Sequence, residues 1–242
     1  VVDMRRDGGL GDVVQKNIPL FKPATEKLAA TQDCTGNGYW VLAHGWNDDR
    51  YYAYHVSDTG IAGPVVSRTG VNHEYRDGRT HNARGYLKIS PNGTKLAAAI
   101  LQDGTIELAD FDNTTGVVSN SQVIPIGKWT YGLSFSPNSS KLYVVRRYND
   151  ENFRDSLFQF DLNVPDYLST KTLVATFNGK DKTGGFVCLQ IAPNGMIVVG
   201  GPGYYLAVLE RPDEPAPNCN YIERWMDLKG YSAVTLPNLV DS

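Results

Sequence analysis

The residues best suited to chemistry are concentrated in one stretch, His73-Glu-Tyr-Arg-Asp-Gly-Arg-Thr-His81. Histidine, carboxylate and arginine side chains together could bind a metal ion or an acidic sugar, or they could transfer protons. The alternative is a solvated loop in which the arginines pair with Glu74 and Asp77. We favour the loop because the two histidines are eight positions apart and no third ligand is evident. The candidate binding residues of this stretch are His73, Glu74, Arg76, Arg79 and His81.

A tryptophan and two oxygen-rich segments are further candidates. Trp46 lies at a loop edge, where its ring could stack on a sugar or a partner, or could simply pack at the rim of the fold. Asn47-Asp-Asp49 and Asn149-Asp-Glu151 could coordinate calcium, but neither has the alternating ligand spacing of a calcium loop. Turn formation is the simpler interpretation. The sequence therefore predicts no metal site and no cofactor, with structural calcium left open.

Sequence motifs for catalysis are absent. The chain has no glycine-rich phosphate loop, no Gly-x-Ser-x-Gly, no His-Glu-x-x-His and no Cys-x-x-Cys. Its three cysteines are too few for a disulfide framework. We expect Cys188, which replaces an apolar residue in a strand, to be a buried free thiol. Cys34 and Cys219 lie in loop-like sequence and could pair.

A repeated hairpin must position these residues. Gly85 to Ala97, Tyr131 to Tyr143 and, more loosely, Phe186 to Val198 each contain an apolar strand, a Pro-Asn turn and a second apolar strand. Proline presets φ for a tight turn, and Asn-Gly tolerates the left-handed conformation that reverses the chain. Ser139 replaces the glycine in the second copy and predicts a strained or different turn. The turn residues are Pro91, Asn92, Gly93, Pro137, Asn138, Pro193, Asn194 and Gly195.

The spacing of these hairpins predicts an all-β fold. Their prolines are 46 and 56 residues apart, and a repeat of roughly 40–50 residues with about four strands is typical of a propeller blade. We predict a single β-propeller domain over residues 1–242, built of four-stranded antiparallel blades. About four blades are complete and one is partial: residues 24–68, 84–126, 130–178 and 185–229, with the partial blade at 1–17.

The alternation within the strands predicts what lies between the blades. Leu87 and Ile89 alternate with Lys88 and Ser90, which indicates a strand with one face buried. The predicted core residues are Leu87, Ile89, Leu96, Leu133, Phe135, Leu142, Leu189 and Ile191. The innermost strands, which would line a central channel, are expected around residues 28–31, 85–89, 131–135 and 186–191, and these offer no Asp, Glu or His.

Composition excludes some classes of function. A net charge of -3 and a pI near 5.8 argue against a nucleic-acid partner, which requires a basic face. No apolar run reaches 18 residues, so we predict no membrane insertion.

A set of short motifs carries a resemblance over nearly the whole chain. They are Val2-Asp-Met, Gly11-Asp-Val-Val, Glu26-Lys-Leu-Ala-Ala, Tyr39-Trp-Val, Gly85-Tyr-Leu-Lys-Ile-Ser-Pro-Asn-Gly, Tyr131-Gly-Leu-Ser-Phe-Ser-Pro, Leu189-Gln-Ile-Ala-Pro-Asn-Gly, Cys219-Asn-Tyr and Leu236-Pro-Asn-Leu. This combination resembles the WD-repeat-like propeller of large secreted surface proteins of Bacteroidetes, which often precedes PKD-like modules and a gliding-motility-associated C-terminal sorting domain. The resemblance implies a secreted, cell-surface location and further blades upstream. The chain is then an N-terminally truncated piece, and its outer hairpin, residues 1–4 with 11–15, pairs with the rest of its own polypeptide. The alternative is that residues 233–239 supply a closing strand for this hairpin and complete a small ring.

Two functions of different classes follow from this sequence. The first is a non-catalytic binding or scaffold module that presents a rigid face to a protein or glycan at the cell surface. The alternative is a propeller enzyme of the lyase or lactonase type, with a central-channel metal held partly by the upstream blades. The lack of Asp, Glu and His in the predicted inner strands favours the binding module.

Overall fold

Antiparallel sheets dominate the computed structural model of the chain, which describes residues 1–147, 154–178, 187–232, 236 and 239–241. Four sheets of four strands follow one another along the sequence and form a four-bladed β-propeller. In each sheet the strands pair in chain order, so every blade is a meander whose first strand is the innermost.

The four blades use sixteen of the strands. Blade 1 contains β3 (Ala24–Gln32), β4 (Gly38–Gly45), β5 (Arg50–Ser57) and β6 (Gly60–Arg68). Blade 2 contains β7 (Leu87–Ile89), β8 (Lys95–Ile100), β9 (Thr105–Asp112) and β10 (Val117–Pro125). Blade 3 contains β11 (Thr130–Phe135), β12 (Lys141–Arg146), β13 (Arg154–Asp161) and β14 (Thr172–Asn178). Blade 4 contains β15 (Cys188–Ile191), β16 (Ile197–Gly200), β17 (Gly203–Leu209) and β18 (Tyr221–Ser232).

Short elements complete the fold. Within the part of the chain that the structure describes, β1 (Val2–Asp3) pairs only with β2 (Asp12–Val13), at the place of the predicted outer hairpin. The helices of the described residues are three short 3₁₀ turns, at Asp7–Gly9, His81–Ala83 and Tyr167–Thr170. Within the described ranges, none of them has the length and hydrophobicity needed to cross a bilayer.

Three apolar cores lie between successive blades. In β8, Leu96 and Ala98 pack toward blade 1, while Ala97 and Ala99 pack toward blade 3. The same split recurs in β12, and a third core joins blades 3 and 4. A middle strand therefore buries both of its faces, which is why these strands are apolar almost throughout. Of the eight predicted core residues seven are buried, and the eighth, Ile191, is partly buried against the third core.

The innermost strand of blade 2 corrects one prediction. Alternation in the sequence indicated one buried face, but Lys88 and Ser90 are buried along with Leu87 and Ile89. In a propeller an inner strand has a neighbouring blade on each side and the channel in front, so its polar side chains are enclosed too. In such a strand, polar residues at alternate positions indicate buried polar side chains with partners and not side chains exposed to solvent.

The Pro-Asn turns lie where the sequence predicted them, and a serine side chain supports the first two. Ser90 Oγ accepts a hydrogen bond from Lys95 N at 2.9 Å and donates to Asn92 Oδ1 at 2.7 Å. Ser136 repeats both contacts in the second copy. Ser139 adopts φ 63°, the left-handed conformation that glycine provides in the first copy, so this turn does carry strain.

The cysteines are free thiols. Cys188 is buried, as predicted. Cys34 and Cys219, whose pairing the sequence left open, do not pair: Cys34 is exposed in the β3–β4 loop of blade 1, whereas Cys219 is buried in the β17–β18 connection of blade 4.

Candidate functional site

One face of β3 forms the wall of a groove on the inner side of the blades. Side chains alternate along this strand, so Lys27 and Ala29 are buried while Glu26 and Leu28 are exposed. Two adjoining cavities, of about 420 and about 360 Å³, share Glu26 and Leu28. We call this pair of cavities the channel groove. It is lined further by Ala30, Tyr86, Lys88, Tyr131, Leu236 and Asp241.

Glu26 is the carboxylate at the centre of the channel groove. Its Oε1 accepts hydrogen bonds from Gly85 N at 3.1 Å and from the Tyr131 hydroxyl at 3.4 Å. Burial, together with the nearby Glu26 carboxylate, raises the pKa of Tyr131 to about 12, so the phenol stays protonated and donates. The side chain therefore has one oxygen held by the protein and a second, Oε2, available to a ligand.

The presence of Glu26 corrects the sequence-based expectation that the inner strands carry no acidic residue. That expectation took the first inner strand to begin near Leu28, whereas β3 begins at Ala24. Glu26 is two residues before Leu28 and therefore shares its face.

A network of buried polar groups forms part of the wall of the channel groove. Lys88 of β7 donates to Gln190 Oε1 of β15 at 2.9 Å and forms an ion pair of 3.0 Å with Asp241. Gln190 Nε2 in turn donates to Asp241 Oδ1 at 2.6 Å. Burial lowers the pKa of Lys88, and the Asp241 carboxylate opposes this effect. The network joins blades 2 and 4 to Asp241. Residues 233–235, 237 and 238 of the proposed closing strand lie outside the described residues.

The stretch from His73 to His81 does not form a single site. Arg76 is exposed and pairs with Glu74 at 2.8 Å and with Asp103 at 3.1 Å, and its backbone pairs with that of Arg79. His81 lies near Trp129, with ring centroids 5.5 Å apart. The arginine pairing with Glu74 agrees with the solvated-loop interpretation, although the second partner is Asp103 rather than Asp77.

His73 departs from that interpretation because it is buried. Its backbone N–H donates to Asp48 O at 3.1 Å, and its carbonyl accepts from Asn47 N at 2.9 Å. These bonds hold the start of the inter-blade loop against the β4–β5 turn. The His73 ring is thereby placed between blades 1 and 2, beside His44 and Glu107. His44 belongs to β4 and Glu107 to β9, so a search within residues 73–81 could not find these neighbours of His73.

The remaining candidates have packing roles in the described residues. Trp46 is partly buried and contacts the Tyr75 ring edge-on at 5.1 Å. The Asp48 carboxylate accepts hydrogen bonds from Arg50 at 2.7 Å and from the Tyr52 hydroxyl at 3.0 Å, which fits a turn. Asn149-Asp-Glu151 lies outside the described residues.

Comparison with known proteins bears on the fold. No protein-family model and no curated protein matches the sequence. A candidate 6-phosphogluconolactonase from Bacteroides uniformis is similar in structure, with a TM-score of 0.54 at 17% identity over 88% of this chain and 56% of that chain. The chain shares its fold with this protein. A second candidate 6-phosphogluconolactonase, from Bacteroides fragilis, gives a TM-score of 0.50 at 15% identity over 98% of this chain and 65% of that chain. This chain therefore spans less than two thirds of either neighbour, and identities this low establish the fold alone.

Proposed function

We propose that the chain is a non-catalytic binding module that holds a small hydroxylated ligand of saccharide size in the channel groove. The observation that carries this proposal is the pair of adjoining cavities, about 420 and about 360 Å³, on the inner strands. Ligand pockets in proteins usually measure roughly 300–1,000 Å³ and combine an apolar lining with a few fixed polar groups. The groove has that size and that composition.

The chemistry of the lining suits hydroxyl groups. Glu26 Oε2 can accept hydrogen bonds from sugar hydroxyls, and carboxylate acceptors make strong ones. Leu28 and the Tyr131 ring supply apolar surface beside it, and aromatic rings provide both stacking area and a polar tip. Inner strands of three blades form this surface, so the groove is held rigid by the cores behind it.

The same groups argue for binding rather than catalysis. A general acid or base must reach the proton it transfers, directly or through one water. Lys88 and Asp241 are instead bonded to each other and to Gln190. Among the described residues that line the groove, Glu26 is the carboxylate with an oxygen left for a ligand. Asp241, the other carboxylate of the described lining, is held by Lys88 and Gln190 and does not complete an acid–base pair with Glu26.

A saccharide panel tests the proposal. We expect at least one mono- or disaccharide to bind the wild-type chain in calorimetry. Leu28→Trp fills the groove and should weaken binding at least tenfold. Leu173→Trp is the matched control, because Leu28 and Leu173 are exposed to 55% and 54% and Leu173 lies on the outer strand of blade 3. Equal affinities for the two variants, or no binding by any saccharide, would overturn the proposal.

Lactone hydrolysis is the second candidate, and the names of the two structural neighbours favour it. In this chain Glu26 would have to activate the water that attacks the lactone carbonyl. The test is the rate of proton release from 6-phosphogluconolactone with wild-type protein, with Glu26→Gln and without protein. If the wild-type rate exceeds the uncatalysed rate and Glu26→Gln removes the difference, the chain is an enzyme and not a non-catalytic binding module.

The location of the module rests on the sequence motifs quoted above. Their resemblance to secreted Bacteroidetes propellers supports a cell-surface protein whose ligand is a glycan outside the cell. A nucleic acid is not expected as a partner, since the net charge is -3, and membrane insertion is not expected, since no apolar run reaches 18 residues.

A further inference from the structure

Three metal-binding side chains meet inside the protein, away from the channel groove. His44 lies on β4, Glu107 on β9, and His73 in the loop that connects blades 1 and 2. All three are fully buried, and their ligand atoms lie within 4.8 Å of one another. The two imidazole rings stack with centroids 3.6 Å apart, and His73 Nε2 is 3.5 Å from Glu107 Oε2.

The nitrogen atoms of these rings lack the partners that buried polar groups usually have. His44 Nδ1 is 2.7 Å from the Gly45 carbonyl, which can only accept, so the proton resides on Nδ1 and Nε2 carries a lone pair. Nε2 has no hydrogen-bond partner, and neither nitrogen of His73 has one. Three buried nitrogens without hydrogen bonds in one cluster are costly, because each loses its hydration without compensation.

The tautomer of His44 suits metal coordination, because a metal binds the neutral imidazole through a nitrogen that carries a lone pair. The N–H that His44 Nδ1 donates to the Gly45 carbonyl fixes this tautomer and leaves Nε2 as the ligand atom.

Glu107 is fixed by the protein on both oxygens. Oε1 accepts from Val71 N at 2.5 Å, and Oε2 accepts from the Tyr51 hydroxyl. The chain approaches the carboxylate closely at Gly70, where φ is +87° and a Cβ would lie 2.1 Å from Oε1. Such support from surrounding groups is characteristic of carboxylates that act as ligands.

We propose that His44, His73 and Glu107 bind a divalent transition-metal ion, Zn²⁺ in the first instance, between blades 1 and 2. Two imidazoles and one carboxylate suit Zn²⁺ and its first-row neighbours, whereas Mg²⁺ and Ca²⁺ prefer oxygen ligands. Ligands about 2.1 Å from one tetrahedral ion lie about 3.4 Å apart. His73 Nε2 and Glu107 Oε2 already have nearly that separation. The His44 ring must turn out of the stack to bring Nε2 to the same ion.

The role of this ion is structural rather than catalytic. The three ligands are buried, so no substrate reaches them. They come from blade 1, blade 2 and the loop between the blades, so an ion would join these three parts. It would also give the unpaired nitrogens their missing partner. The proposal is independent of ligand binding in the channel groove.

Metal analysis of the whole chain tests the site. Protein expressed with zinc in the medium, freed of any affinity tag and desalted, should carry about one equivalent of Zn²⁺. Removal of the ion with a chelator should lower Tm, and ZnCl₂ should restore it. Co²⁺ added to the chelated protein should give the visible d–d absorption of a low-symmetry imidazole site, a signal that a folded protein without the site does not produce.

Two variants assign the ligands. Glu107→Gln keeps the shape of the side chain and can still accept from Val71 N, and it should weaken Co²⁺ binding at least tenfold. His81→Gln is the control, since His81 lies outside the cluster, and it should bind as wild type does. Absence of metal together with no Co²⁺ spectrum from the wild-type chain would overturn the proposal. So would unaltered Co²⁺ binding by Glu107→Gln; if that variant fails to fold, the wild-type Co²⁺ titration decides alone.

Discussion

At the scale of residues, the main feature of this chain is the set of charged and polar side chains buried inside the blades. Lys27 is the clearest case: it is fully buried, and its Nζ donates to the carbonyls of Asn82 at 2.7 Å and Arg84 at 3.1 Å. These bonds hold the 3₁₀ turn His81–Ala83 against β3. Burial lowers the pKa of Lys27 to about 7, an effect that Glu26 and Glu107 only partly oppose.

The lowered pKa predicts how stability depends on pH. Between pH 7 and about 10, Lys27 binds a proton in the unfolded chain but not in the native one. The free energy of unfolding of the wild type should therefore rise across this window relative to Lys27→Met, by about 4 kcal/mol at most. Denaturant titrations of chelator-treated wild type and variant at pH 6, 8 and 10 measure the difference. A constant difference over these three pH values would contradict the assignment.

Gly70 provides a second test at this scale. Alanine there would meet the Glu107 carboxylate and would also adopt an unfavourable positive φ, whereas Gly60 has a positive φ of +123° with open space around it. Gly60→Ala should cost about 1 kcal/mol from the backbone alone. Gly70→Ala should cost about 2–3 kcal/mol, since a buried side chain must move as well. Denaturation midpoints measure both, and equal losses would show that Glu107 does not lie against Gly70.

The hairpin with its Ser-Pro-Asn turn is the unit that organises the fold at the scale of elements. Its strands place apolar side chains on both faces, and the two faces serve different cores. Phe135, at the end of β11, is fully buried in the core between blades 2 and 3. A hairpin is thus stabilised by its neighbours on both sides more than by its own contacts.

Truncation of Phe135 tests this packing. Phe135→Ala should reduce the free energy of unfolding by roughly 3–5 kcal/mol, because the rigid strands around the site cannot collapse into the space. Leu173→Ala, on the exposed face of β14, is the control and should change it by less than about 1 kcal/mol. Chemical denaturation measures both, and an unchanged midpoint for Phe135→Ala would refute the core assignment.

The elements were predictable from the sequence because their signals are local. Pro-Asn turns and apolar alternation are encoded within about a dozen residues, so the hairpins, their turns and most core positions followed from Gly85 to Ala97 and its copies. The buried cluster was not predictable in this way. His44, His73 and Glu107 are far apart in sequence and meet only when blade 1 packs on blade 2. One signal was present in the sequence. Glu107 lies between the apolar residues Ile106 and Leu108 in β9, a strand that is buried on both faces at this point.

The inner surface of the blades is the feature that matters at the scale of the whole molecule. Lys88 and Gln190 connect the inner strands of blades 2 and 4, and Asp241 contacts both side chains. The channel groove lies beside this network and has Glu26 at its centre. The position of Glu26 depended on where β3 begins, and strand ends are the part of a sequence pattern that is least well determined.

A crystal structure of the chain with the tightest-binding saccharide of the panel tests the proposed function most directly. We predict that the sugar occupies the channel groove, packs against Leu28 and places a hydroxyl oxygen about 2.6–3.2 Å from the Glu26 carboxylate. Density for the sugar on the outer strands or on the loop of residues 73–81, with the groove holding only solvent, would contradict the account.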